Sequence, residues 1–97
     1  MKEIHFEWNN EKARLNQKKH GVSFEEAQSI FYDEYALEFF DKDHAEKEER
    51  FIMLGLSVKL RVLVACHCLR EKGNVIRIIS ARKATKKESE YYWEERP

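Results

Sequence analysis

Proline and glycine are scarce in this chain, at one Pro and three Gly in 97 residues. Disordered linkers and low-complexity segments draw heavily on such residues, and no stretch of that composition is present. Long apolar runs are missing too. None approaches the roughly 20 residues that a membrane-spanning helix needs, and Met1-Lys2-Glu3-Ile4-His5 has no apolar signal-peptide core. The chain is therefore expected to stay in the cytoplasm, with no membrane among its partners. Cysteine is limited to Cys66 and Cys68, both in one apolar run. Side chains at i and i+2 of a strand share a face but lie too far apart for an ordinary disulfide, so both are expected to be reduced, buried thiols. A Gly-rich phosphate loop, a GxSxG elbow and an HExxH pair are all absent, and no cofactor is expected.

What is present is a charge-decorated globular domain. Apolar residues make up 42% of the chain and charged ones 37%, enough for one small core and one domain, with no room for a separate cofactor domain. The formal net charge is zero, which by itself argues against a general nucleic-acid binder. The distribution along the chain argues otherwise. Asp33 to Glu49 holds eight acids against Lys42 and Lys47, whereas Lys59 to Lys87 holds nine Lys or Arg against the single acid Glu71. Segregation of this kind gives a small domain a dipolar surface with one anion-attracting face.

Periodicity and capping signals give the order of elements. Ile4 to Trp8 alternates apolar and polar and reads as a short strand. Asn9 or Asn10 can cap a helix ending near His20, with Gly21 placed for a left-handed C-cap. The last turns of that helix carry Lys12, Arg14, Lys18, Lys19 and His20, which favours the helix dipole; a solvated face is the bland explanation. Ser23 with Glu26 forms a capping box for a second helix, with Val22 and Ala27 as a hydrophobic staple, and Phe24, Ala27, Ile30 and Phe31 as its buried stripe. Strands follow over 36–40, 51–57, 62–69 and 75–81, the last two joined as a hairpin through Gly73-Asn74. Thr85 and Glu88 form a further capping box, opening a C-terminal helix with Tyr91, Tyr92 and Trp93. The class is α+β: an antiparallel β-meander packed against N-terminal helices, with a C-terminal helix.

The segment RIISARKAT, residues 77–85, poses the chemical question. Val75, Ile76, Ile78 and Ile79 read as a buried strand, yet Arg77 interrupts them and Arg82 and Lys83 crowd the end. A buried guanidinium needs a partner. With two or four residues in the hairpin turn, Cys66, Cys68, Arg70, Arg77 and Ile79 share one face, while His67, Ile78, Ser80 and Arg82 share the other. Arg70 then lies opposite or diagonal to Arg77, an arrangement that destabilises a sheet unless an anion sits between. Two anions are open: an acid such as Glu38, Asp41 or Asp43, or a phosphate held bidentately.

Metal sites are weaker candidates. In Cys66-His67-Cys68 neighbouring side chains point to opposite faces, so at most the two thiols could share an ion. The cluster Asp41, Asp43, His44, Glu46, Glu48 and Glu49 offers oxygen ligands to a divalent cation, but a solvated acidic loop is the commoner case. No metal is expected.

The stretches FEWNNEKARLNQKKHGVSFEEA, DHAEKEERFIMLGLS, VACHCLREKGNVIRIISARKA and RIISARKATKKESEYY together resemble the BrnT family of bacterial type II toxins, over essentially the whole chain. The matching pattern includes Trp8, Lys12, Asn16, Lys19, His20, Gly21, Glu49, Arg50, His67, Arg70, Arg77, Arg82 and Glu88. Asn9 stands where the family often has Asp, and Cys68 where a Thr is usual. The resemblance implies a RelE-like fold with helices on one sheet face and RNA on the other. It also implies a ribonuclease that inhibits translation, neutralised by a BrnA-type antitoxin. That antitoxin would carry a dimeric DNA-binding domain, so operator DNA is reached only through it, in a two-toxin, two-antitoxin heterotetramer.

RNA cleavage by the ribose 2′-OH needs no metal, only stabilisation of charge on phosphorus and proton transfer. Arginines suit the first task and histidine the second. The expected catalytic residues are His67, Arg70, Arg77 and Arg82; for His67 a hydrogen-bonded core histidine is the competing explanation. Lys12, Lys19, His20, Lys83 and Tyr91 are expected to bind RNA, Tyr91 by stacking on a base or orienting a phosphate. The alternative function is a non-catalytic protein- or nucleic-acid-binding module.

Overall fold

A computed structural model of the chain describes residues 3–42 and 49–97. Five strands form one sheet: β1 (His5–Glu7), β2 (Leu37–Phe40), β3 (Arg50–Leu56), β4 (Val62–Arg70) and β5 (Val75–Lys83), in the spatial order β1-β5-β4-β3-β2. Strands β2 to β5 pair antiparallel with their neighbours in sequence, while β1 joins β5 in parallel. The sheet is thus mixed, which corrects the expectation of an antiparallel meander alone. A parallel pair requires a long crossover, and everything between Glu7 and Val75 supplies it.

Three helices complete the domain: α1 (Asn10–His20), α2 (Phe24–Ser29) and α3 (Lys86–Glu95). Each starts where a polar side chain can accept a free N–H. The Asn9 side chain accepts from the Lys12 N–H at 2.9 Å, Ser23 from Glu26 at 3.0 Å, and Thr85 from Glu88 at 3.1 Å. Gly21 ends α1 at φ 68° and donates its N–H to the Gln17 carbonyl, a left-handed cap that glycine adopts without strain. The box at Thr85 is reciprocal, with Glu88 accepting from the Thr85 N–H at 2.8 Å. The one at Ser23 is not. Glu26 turns inward instead, accepting from Ser57 at 2.7 Å and pairing with Arg61.

Helices α1 and α2 cover one face of the sheet. Val22, Phe24, Ala27 and Ile30 pack there against Leu63 and Ala65 of β4 and Ile76, Ile78 and Ala81 of β5. Gly55 of β3 is what lets the turn after α2 come close, since a Cβ there would lie 3.1 Å from Ile30 Cβ and 3.2 Å from Ala36 Cβ. Where β1 stops, α1 takes over the edge of β5. The Asn16 amide donates to the Ala81 carbonyl at 2.8 Å and accepts the Ala81 N–H at 3.1 Å, standing in for a missing strand. Helix α3 lies on the opposite face, where Tyr92 is buried against Leu54 and Val64. Its hydroxyl donates to Asp33 at 2.5 Å; burial and that carboxylate push the phenol up to about 12. Among the described residues no helix covers the remainder of this face, the open face.

Candidate functional site

The pairing register decides which charged side chains reach the open face. In an antiparallel pair, residues directly opposite each other share a face. Arg82 pairs with Val64, Ser80 with Cys66, Ile78 with His67, Arg77 with Cys68 and Val75 with Arg70. One step on β4, from Cys66 to His67, therefore spans two on β5, leaving Ile79 as an extra residue. A β-bulge of this kind reverses the alternation beyond it. Arg77, before the bulge, and Arg82, after it, both face the open side despite their odd separation. The expectation that Arg82 shares a face with His67 and Ile78 is corrected for the same reason.

Three rows of side chains cross this face. One runs Glu7, Arg77, Cys68, Arg50; the next Phe39, Ile52, Cys66, Ser80; the third Leu37, Leu54, Val64, Arg82. A cavity of about 350 Å³ lies over the middle row, bounded by Arg50, Arg82, His20 and Asp41 and floored by Cys66 and Ser80. A second, of about 240 Å³, continues from His20, Ile79 and Ser80 along α1, where Lys12 and Lys19 line it. Lys12, Lys19, His20 and Arg82 are thus brought into one trough. The helix edge docked by Asn16 is what carries the α1 cations there.

Arg70 and Arg77 form a separate group, and both have beside them an acid that was not among those expected. Glu7 on β1 sits opposite Arg77, 2.7 Å from it and 3.8 Å from Arg70. Only the parallel placement of β1 puts it there. Arg82 is held by Glu88, with contacts of 2.7 and 2.9 Å. The Arg82 guanidinium and the Thr85 N–H hold the Glu88 carboxyl at about 2, so the pair stays ionised through the physiological range.

His67 stands apart from the arginines. It is fully buried on the helical face, its ring 4.8 Å from that of Phe31 and 5.9 Å from that of Phe51. Nε2 lies 3.2 Å from Glu38. Burial lowers its pKa against the opposing pull of Glu38, so the ring is neutral near pH 7. Glu38 therefore partners the histidine, and the expected union of His67 with the arginine face does not occur. Lys83 pairs with Leu63 and alternates to the helical side, where it is exposed.

Tyr91 lines a further cavity of about 420 Å³ on the open face, with Phe39, Ile52, Leu54 and Val64 as its apolar walls and Thr85, Lys87 and Glu88 as its rim. Arg50 and Glu88, named from the sequence in the matching pattern but not as site residues, line these cavities; Ser80 lines the trough and Glu7 pairs with Arg77, neither having been singled out as a site residue from the sequence. Arg50 had a signal, a cation opening an apolar strand directly after an acidic run. Among the described residues no group of three or more His, Cys, Asp or Glu is placed to hold a metal ion. The acidic cluster's Asp43, His44, Glu46 and Glu48 lie outside the described residues. No described helix is long and apolar enough to cross a membrane.

No curated protein matches the sequence. Its fold is similar to the crystal structure of the Brucella abortus ribonuclease toxin, BrnT, with a TM-score of 0.65 and 22% identity over 89% of this chain and all of that one. Residues 8–88 match the family described as the ribonuclease toxin, BrnT, of type II toxin-antitoxin systems. The chain belongs to the BrnT family of ribonuclease toxins of type II toxin-antitoxin systems, which implies an antitoxin partner.

Proposed function

We propose that this toxin is a metal-independent endoribonuclease that cleaves RNA in the trough on the open sheet face and thereby inhibits translation. The observation that carries the reading is the bulge at Ile79, which gathers Arg82 with Arg50, His20, Lys12 and Lys19 on one accessible surface. Fixed guanidinium charges stabilise the extra negative charge on phosphorus as O2′ attacks and the P–O5′ bond breaks. Arg82, preset by Glu88, serves the scissile phosphate; Arg77 and Arg70, spaced by Glu7, serve a flanking one. The attacking 2′-OH must lose a proton and the leaving O5′ must gain one. His20 takes the proton-transfer role expected of His67, because it lines the trough and His67 does not. His67 supports the fold from the other side.

The neutralising partner fits a BrnA-type antitoxin with an acidic, apolar segment laid over the trough. Such a segment replaces phosphate charge and would bind more slowly as salt rises. A RelE-like ancestry, cytoplasmic action, a two-toxin, two-antitoxin assembly and operator binding through the antitoxin alone belong to the same reading. The test is cleavage of RNA by the purified chain in excess EDTA. Undiminished activity is expected, with Arg82→Ala lowering kcat by on the order of 10²–10³, and His67→Gln retaining cleavage wherever it folds. Loss of activity in EDTA, restored by a divalent cation, would overturn metal independence.

A further inference from the structure

The apolar cavity around Tyr91 is not needed for phosphate chemistry, yet it adjoins the trough. Ile52 and Val64 line both cavities, and the Arg82–Glu88 pair stands between them, with Arg82 on the cationic side and Glu88 on the apolar side. Phe39 is 40% exposed and Tyr91 44% exposed, although each presents a large ring. Their centroids lie 6.2 Å apart at 48°, a tilted pair that leaves ring surface uncovered. Phe39 also begins the sheet row that ends at Ser80. Three strand spacings separate the two, about 14 Å in all, which is room for one nucleotide and the phosphate beside it.

We propose that Phe39 and Tyr91 form a nucleobase-binding subsite, holding by stacking the base next to the phosphate that Arg82 and Arg50 receive. This rests on the RNA-cleaving reading above and gives it a substrate register. Flat, uncharged walls suit any base, since every base offers a π face. The rim supplies hydrogen-bonding groups of both kinds, the Lys87 ammonium as donor and the Thr85 hydroxyl as donor or acceptor. Phosphate contacts in the trough position the strand, and the base in this cavity fixes which phosphate is presented. A protein ligand would have to fill the apolar cavity with a side chain of the antitoxin, which is the competing outcome of the test.

The probe is a set of mixed-sequence 2′-O-methyl hexaribonucleotides, resistant to cleavage, each with 2-aminopurine at one position. Binding to the full chain is expected to quench the fluorophore at one position more than at the others. Tyr91→Ala and Phe39→Ala should abolish that difference and weaken binding roughly ten-fold, whereas Tyr91→Phe keeps both. Because no cation is removed, the dependence of affinity on salt should stay that of the parent; Arg82→Gln should flatten it while the quenching persists. Near-ultraviolet spectra and thermal melts of the ring variants check that they are folded. If the parent binds RNA and the ring variants bind it equally well, the subsite is overturned, and a selective loss of antitoxin affinity then assigns the cavity to the antitoxin. If the parent neither binds nor cleaves RNA, the ribonuclease reading fails first.

Discussion

The two faces of the β4–β5 pair treat polar groups in opposite ways. On the helical face the centre is closed off: Phe24, Ile30, Leu63 and Ile78 are fully buried or nearly so, and His67 among them is held neutral. On the open face α3 covers one end only, and the cations left outside it are half-exposed and paired with carboxylates. Adjacent residues of one strand fall into the two regimes, Cys66 flooring the trough and His67 buried beneath it. The lesson is that a charge is retained on a sheet when water and a carboxylate reach it, and is titrated away when neither solvent nor full compensation is available.

Truncating an aromatic on each face is the strongest test of that difference. Phe24→Ala should cost about 3–5 kcal/mol, since its ring is fully buried and the cavity has little room to collapse. Phe39→Ala, taken from the open face, should cost less than about 1.5 kcal/mol. Urea unfolding measures both. Comparable losses would mean that the open face is as tightly packed as the helical one.

A pH titration separates the faces more gently. A histidine with a lowered folded pKa contributes stability that is complete above its ordinary value of about 6.5 and is lost as the pH falls from there through the folded value. Burial lowers His67 in this way. As the pH falls below about 6.5 the unfolding free energy should therefore decline, with a slope of at most about 1.4 kcal/mol per pH unit, and His67→Gln should flatten it. Two paired carboxylates titrate lower: Arg61 holds Glu26 below the usual range on one side, and Arg82 holds Glu88 at about 2 on the other. An unchanged slope in the variant would show that His67 is protonated with little penalty.

The smallest effect belongs to the cap that fixes Arg82. Thr85→Ala removes the acceptor for the Glu88 N–H and should cost about 1 kcal/mol. Glu88 keeps its own contacts to Arg82, so RNA cleavage should fall less than in Arg82→Ala. Equal losses in the two variants would mean that the first turn of α3, and not the arginine alone, sets the trough.

Much of the architecture was legible because its signals are local. Asn9 and Gly21 bound α1 through their own hydrogen bonds, and Thr85 with Glu88 does the same for α3; each spans three to five residues. Alternation located the strands of β2 to β5 to within two residues at either end. The basic run from Lys59 to Lys87 supplies Arg82 to the trough, whereas Lys12, Lys19 and His20 reach it from α1, outside that run. The Ser23–Glu26 box was only half right, because a half-buried arginine 35 residues away outcompeted a backbone N–H for the same carboxylate.

Sequence by itself thus determined the helices, the strands, the segregation of charge and the family. Tertiary structure alone decided three things. It laid β1 parallel to β5, so that Glu7 became the counter-ion between Arg70 and Arg77. It placed the bulge at Ile79, so that Arg77 and Arg82 share a face. It closed the helices over His67 and opened the trough beside His20. Capping and alternation are energies of neighbours, visible in a few consecutive residues. Strand partnership and a one-residue bulge are settled by contacts among segments far apart in the chain, and shifting a register by one residue exchanges every side chain between core and solvent.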